Sequence, residues 1–282
     1  GVAIMCRSKL VLLSTLLSPI WATETSCEHS LLQFKGARRA QPAVGGWCQA
    51  AWANKCTWGS DANVILPGGF QPDATVLPNP GNWNSQSYPD GVWLTIGGEG
   101  VGVNDPKDCL DIPLLVQWAE KVGATGLSFD MEGCLDYNTK LQPLMDALEK
   151  TPTKLQKMFV PLGDIGDVGP VPKYSDLSGT FDVAAPMFYW GATTYQGSID
   201  CAKIKVWINS WLEAGWPQDK MYLTFQSQSA AADEKGQLVL KCLTEEMTQQ
   251  GYLGLLGWPA PNAADNVKNM ETIKAAMNTT EE

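Results

Sequence analysis

Histidine is nearly missing from this chain: among 282 residues there is one, His29. The eight cysteines show no CxxC spacing either, so a zinc site of ordinary ligand spacing is not expected, and no metal or other cofactor is predicted. Phosphate loops are also lacking. No GxGxxG or GxxxxGK[ST] pattern follows a strand-like segment, and Gly97-Gly98-Glu99-Gly100-Val101-Gly102 lacks both the third glycine at the required spacing and a following helix start. Basic charge is short, with 20 Lys and Arg against 30 Asp and Glu for a formal net charge of −10. Such a chain repels phosphate backbones and anionic membrane surfaces, which excludes nucleic acid as an expected partner. The single apolar run of note, Leu10 to Leu17, is too short to span a bilayer, so no membrane anchor is expected.

What the chain does have is apolar bulk: 44% hydrophobic residues, enough for one large core or two modest ones. Tryptophan outnumbers phenylalanine, 12 to 7. Indole is seldom fully buried, and its flat face suits the apolar face of a sugar ring, although core filling is the commoner use of any one Trp. At the N-terminus, Arg7 and Lys9 precede the apolar run and Ala22 offers a small residue for cleavage, so residues 1–22 read as an export signal. Residues 23–40, polar and ending in Gly36-Ala37-Arg38-Arg39-Ala40, read as a linker or propeptide. The mature product is expected to be secreted, extracellular or vacuolar. Once Cys6 leaves with the signal, seven of the eight cysteines remain, and several should pair in an oxidising compartment. Cys48 with Cys56 and Cys109 with Cys134 are the pairings considered, with connectivity left open.

From Gln41 onward short apolar segments alternate with stretches of helical periodicity. Strands are expected at Asn63–Pro67, Gly91–Gly97, Thr125–Glu132, Lys157–Leu162, Phe181–Tyr189, Lys220–Gln226 and Tyr252–Trp258, with an eighth from Ala43–Cys48. Helices are expected at Pro113–Val122, Leu141–Leu148, Ile204–Ala214 and Gly236–Gln249. This alternation implies βαβ units and a parallel sheet covered on both faces. The count suits an α/β fold of the (β/α)8 TIM-barrel kind over residues 41–277, with 278–282 as a tail; a doubly wound open sheet is the alternative.

Along Gly126-Leu127-Ser128-Phe129-Asp130-Met131-Glu132 the side chains alternate, so Ser128, Asp130 and Glu132 share one face. In a barrel strand the other face packs on helices, which turns this polar set inward, with Glu132 at the C-terminal end where barrel enzymes place their sites. Two carboxylates so placed should couple and raise the pKa of one, as a general acid working near neutral pH requires. A buried polar network or a structural cation site is the bland alternative for any D-x-E.

The same segment resembles the DGxDxDxE signature of glycoside hydrolase family 18, the chitinases and endo-β-N-acetylglucosaminidases. Leu94-Thr95-Ile96-Gly97-Gly98 resembles the family's SxGG strand, Ala185-Pro186-Met187-Phe188-Tyr189 its MxY strand end, and Gly257-Trp258 falls where its last strand ends in tryptophan. The resemblance implies a single barrel without the family's extra α+β insertion, because Phe188 to Gln226 leaves no room for it. It implies a glycosidase acting on β-1,4-linked N-acetylglucosamine in chitin or N-glycan cores. Glu132 would protonate the leaving oxygen while the substrate's own acetamido oxygen attacks the anomeric carbon. Asp130 would orient that acetamido group, and Tyr189 would donate a hydrogen bond to it. Trp258 would stack under the sugar, with Met187, Trp190 and Gln226 as further substrate contacts. The expected partner is an oligosaccharide or polysaccharide containing N-acetylglucosamine, and the protein is expected to be monomeric.

Two signature aspartates of the family align with Thr125 and Ser128. Ser128 can still hydrogen-bond Asp130 but cannot share a proton with it or repel it, so Asp130 is expected to have a lower pKa than in a full carboxylate stack, with activity reduced or its pH optimum moved. A catalytically silent sugar-binding or inhibitory protein on the same barrel is therefore the rival reading. A glycosidase with two enzyme carboxylates is a third, with Asp164, Asp167 or Glu99 as the second acid.

Overall fold

The computed structural model describes residues 42–48, 58, 62–67, 88–98, 109–165, 174–189, 200–258 and 263–279, all within the compact unit Pro42–Glu282. The expected signal segment and linker, Trp190, Glu99, Asp167 and Cys56 lie outside the described residues.

Eight parallel strands are present: β1 (Ala43–Cys48), β2 (Val64–Pro67), β3 (Gly91–Gly97), β4 (Gly126–Asp130), β5 (Gln156–Val160), β6 (Val183–Ala184), β7 (Tyr222–Gln226) and β8 (Gly254–Trp258). They hydrogen-bond in the order β6-β5-β4-β3-β2-β1-β8-β7. A parallel bridge between Ala184 and Met221 brings β6 to β7 and rounds the sheet into a barrel. The expected (β/α)8 TIM barrel is thus the fold, and the open doubly wound sheet is not. The strands are buried nearly throughout, as a sheet covered on both faces demands.

Two apolar layers follow from strand alternation. Trp47, Leu66, Trp93, Val160, Met187 and Leu256 fill the barrel interior. Outward-facing Leu94, Phe129, Phe159 and Leu223 pack against helix residues such as Leu115, Trp211 and Leu243.

Seven helices are described: α1 (Ile112–Val122), α2 (Tyr137–Lys150), α3 (Tyr174–Thr180), α4 (Cys201–Glu213), α5 (Ser227–Ala232), α6 (Glu234–Gln250) and α7 (Ala263–Thr279). Their starts are written in aspartates. Asp111, Asp136, Asp200 and Asp233 each accept a bond from a backbone N–H of the first turn of α1, α2, α4 and α6, satisfying donors that the helix itself leaves open. The sequence missed α3, α5 and α7. In α7 the buried stripe includes Asn266 and Asn269, both fully buried, which breaks the apolar periodicity that marks a helix.

The expected strand Phe181–Tyr189 is shortened to Val183–Ala184. Pro186 has no N–H to give the ladder, yet Met187 N–H still reaches the carbonyl of Pro161 at 2.8 Å and bridges to Leu162. The chain therefore continues in line to the barrel mouth. Cys109 and Cys134 are joined as considered from the sequence. Cys201 and Cys242 are also joined, tying α4 to α6, and Cys48 is disulfide-bonded as well. Among the described residues no helix is long and apolar enough to cross a membrane.

Candidate active site

All the strands end at one mouth, and the polar residues of the expected site gather there. In register, Gly97 of β3 lies beside Asp130 of β4, and Asp130 beside Val160 of β5. One position deeper, Thr95 lies beside Ser128 and Ser128 beside Met158. Thr95, Ser128 and Asp130 are 2%, 0% and 1% exposed, so polar atoms are sealed into an otherwise apolar barrel.

The glycine pair at the end of β3 is what makes room for the acid. Gly97 has φ +88°, and a Cβ there would come within 2.1 Å of the Asp130 carbonyl oxygen. Gly98 has φ +101°, and a Cβ on it would stand 3.2 Å from Asp130 Oδ2. A side chain at either position is strained by its backbone angle, and at Gly97 it also collides with β4.

Asp130 ends β4, and Glu132 follows in extended conformation, φ −130° and ψ 166°, just before a 3-10 turn at Gly133–Leu135. The expected strand Thr125–Glu132 thus ends two residues earlier and begins one later, but the alternation persists. Glu132 is half-buried, and its carbonyl accepts from Gly98 N at 3.2 Å and Leu135 N at 3.1 Å. These two bonds tie the segment to β3 on one side and to the turn on the other.

Burial raises the Asp130 carboxyl well above the ordinary carboxylate range, and the negative charge of Glu132 raises it further. The expected coupling of the two acids is therefore present. Tyr189, at the end of the segment continuing β6, is also buried. Burial first, then the charges of Asp130 and Glu132, push its phenol well above its ordinary value. All three groups thus lie within electrostatic reach of one another.

Asp130 Oδ1 and the Tyr189 hydroxyl are buried with no hydrogen-bond partner among the described residues. Such groups carry a desolvation cost that a correctly placed ligand relieves. The Ser128–Asp130 bond that the sequence allows is not made. Residues two apart on an extended strand lie roughly 6.6 Å apart, and Ser128 Oγ instead points to the sulfur of Met158 at 3.7 Å.

Across the mouth, Gln226 and Trp258 are neighbours in register at the ends of β7 and β8. Trp258 is half-buried and meets Trp47 of β1 at a centroid distance of 5.9 Å and an interplanar angle of 46°. Trp47 escaped the sequence reading, yet its indole Nε1 is buried without a partner among the described residues. Only the barrel register reveals that Trp47 and Trp258 face the same interior. Gln226 Oε1 accepts from Ser229 Oγ at 2.5 Å, while Met187 is fully buried in the inner layer beneath Tyr189.

Asp164, considered as a second acid, accepts from Trp207 Nε1 at 3.0 Å and thereby anchors α4. A cavity of about 210 Å³ beside Phe188, Phe225, Leu240 and Leu243 includes Tyr189 and Gln226 in its lining but neither Asp130 nor Glu132. It lies largely between the barrel wall and the helices, away from the acids.

No protein-family profile matches the chain, and no curated protein matches it in sequence. Solved structures do. The GH18 chitinase ChiB from the chitin utilization locus of Flavobacterium johnsoniae matches with a TM-score of 0.62 at 12% identity, over 85% of this chain and 94% of that one. The chitinase-like agglutinin of Robinia pseudoacacia matches with a TM-score of 0.56 at 13% identity, over 83% and 99%. A mutant class V chitinase of Nicotiana tobaccum, solved in complex with NAG4, matches with a TM-score of 0.52 at 14% identity, over 84% and 99%. At such identities the likeness is one of fold, and this chain carries the chitinase-like (β/α)8 barrel.

Proposed function

We propose that this protein hydrolyses β-1,4-linked N-acetylglucosamine by a substrate-assisted, retaining mechanism. The observation that carries the reading is the buried Asp130 paired with half-buried Glu132 at one strand end, with the partnerless Tyr189 hydroxyl coupled to both.

Glu132, the less buried of the two acids, gives its proton to the glycosidic oxygen. The substrate's acetamido oxygen attacks the anomeric carbon as the C–O bond breaks, which forms a cyclic oxazolinium without an enzyme nucleophile. Asp130 in its ionised form orients the acetamido N–H and stabilises the cation, and Tyr189 donates to the acetamido oxygen, holding it in line. Water, deprotonated by Glu132, then opens the ring from the same face, so the anomeric configuration is retained. Trp258 and Trp47 supply an aromatic wall for the sugar, with Met187 and Gln226 as flanking contacts and Trp190 as a candidate contact carried from the sequence alone. The substrate class is supported by the fold shared with chitinases, one of them solved with NAG4. The disulfides support an oxidising, extracellular or vacuolar setting.

The test is hydrolysis of a fluorogenic chitotriose by the wild type and by Glu132→Gln across pH 3 to 8. Loss of a general acid lowers turnover by about 10²- to 10⁴-fold, and the reading predicts a loss of that size. A sugar-binding protein on the same scaffold is the second reading. It is favoured by Thr125 and Ser128 at the two aspartate positions and by the agglutinin among the similar structures. Chito-oligomer binding by both proteins with hydrolysis by neither would establish it.

A further inference from the structure

We infer that Thr95 is a positioning residue for Asp130, acting through one buried water that it shares with Ser128. The inference starts from a mismatch in hydrogen bonding. Thr95 Oγ1 and Asp130 Oδ1 are both sealed from solvent and both lack a partner among the described residues. They sit on adjacent strands and share the inner face, with Thr95 beside Ser128 and Asp130 one inward position nearer the mouth. Asp130 is thus the diagonal neighbour of Thr95 across the strand pair, with the two residues roughly 7–8 Å apart, a gap that their inward side chains close with one bridging water between them.

Ser128 supplies the third contact. Its single hydroxyl hydrogen is directed at Met158 Sδ, which leaves its oxygen able only to accept. A water at the centre then has a complete set of partners: it accepts from Thr95 Oγ1 and donates to Ser128 Oγ and Asp130 Oδ1. Three hydrogen bonds are typical of a buried structural water. Trp93 Nε1, on the same face of β3 one inward position deeper, is a further buried donor without a protein partner, so this part of the barrel is polar enough to retain water.

The titratable groups coupled to Asp130 among the described residues are Glu132 and Tyr189. The neighbouring strands present Thr95 and Gly97 from β3, and Met158 and Val160 from β5. None of these carries charge, so the ionised form of Asp130 depends on neutral donors. A donor held under Oδ1 favours the carboxylate over the acid. The catalytic consequence rests on the proposed hydrolase reading; the hydration site does not.

Three measurements on the full chain test the inference. A high-resolution crystal structure of the wild type should show an ordered water within hydrogen-bond distance of Thr95 Oγ1, Ser128 Oγ and Asp130 Oδ1. A direct Thr95–Asp130 bond, or no water there, overturns the proposal. Carbon-13 NMR of labelled aspartate should show Asp130 titrating at higher pH in Thr95→Val than in the wild type, with Thr95→Ser restoring it and Ser128→Ala moving it in the same direction by less. An unchanged titration in Thr95→Val overturns the proposal.

With chitotriose as substrate, Thr95→Val should lower kcat roughly tenfold, the worth of one buried hydrogen bond to a charged group. It should also move the acid limb of the pH profile upward and leave KM nearly unchanged. A uniform loss of activity with an unmoved profile counts against the inference. Should the wild type prove unable to hydrolyse chitotriose, the water and the titration still decide the matter, while the hydrolase reading alone fails.

Discussion

Tyr189 carries the sharpest contrast between stability and function. Its hydroxyl is buried without a partner among the described residues, so the fold gains nothing from it there and bears the cost of its desolvation. Tyr189→Phe is expected to leave the melting temperature unchanged or slightly raised, while kcat/KM on chitotriose falls about 10- to 100-fold through loss of one bond to the acetamido oxygen. A drop in melting temperature with activity intact would show that the hydroxyl serves packing alone. The inward placement of Asp130 and Glu132 was legible in the sequence because strand alternation tells which side chains share a face, and a polar set on a buried strand stands out; Tyr189 was reached only through the resemblance of its strand end. Trp47 was not legible, because Gly45-Gly46-Trp47 offers no pattern that separates an inward indole from an outward one until β8 is placed beside β1. The Ser128 contact was misread for a related reason: sequence proximity suggested Asp130, whereas lateral register delivers Met158.

Among the elements, the segment bearing Glu132 is held from both ends. Its carbonyl bonds to Gly98 and Leu135, and two residues on, Cys134 is crosslinked to Cys109, 25 positions away in sequence. Cys109 itself is buried just ahead of α1, so the bridge fixes the turn after the acid to the base of a packed helix. Replacing both cysteines by serine should cost about 2–4 kcal/mol of stability and, by loosening the turn, lower kcat more than it raises KM. Thermal unfolding and chitotriose kinetics on the same preparation would check this; unaltered kcat beside a lowered melting temperature would limit the disulfide to stability. The pairing was one of two considered from sequence, because both cysteines fall in loops after neighbouring strands. The Cys201–Cys242 bridge was not considered, since its ends lie on helices four and six, whose proximity depends on barrel closure. Helix α7 was lost to the same kind of long-range effect: Asn269 donates to the Ser227 carbonyl at 2.9 Å, a use of polar residues in a buried seam that no local periodicity announces.

The whole barrel was readable because each strand is nearly continuous in apolar residues and each interval carries a helix or room for one, and the fold is shared with solved barrels at 10–14% identity. A barrel of this kind still has to contain its site, and here containment sets a pH dependence on the entire molecule. Asp130 is buried, and burial together with Glu132 raises its carboxyl above the ordinary value of 3.8. In the unfolded chain the same carboxyl titrates near that ordinary value. Between the two values the folded protein keeps a proton that the unfolded chain has released, so this group makes stability fall as pH rises through the window. Below the ordinary value both states are protonated and Asp130 confers no penalty. Asp130→Asn removes the titration and the repulsion from Glu132 while preserving most of the shape. Its melting temperature should therefore match the wild type near pH 3.5 and exceed it by a margin that widens towards pH 8, while hydrolysis of chitotriose collapses. Calorimetric scans of both proteins across that range decide the point. A constant difference, or one that narrows with rising pH, would mean that Asp130 is held as a comfortable carboxylate, and that the barrel does not trade stability for its acid.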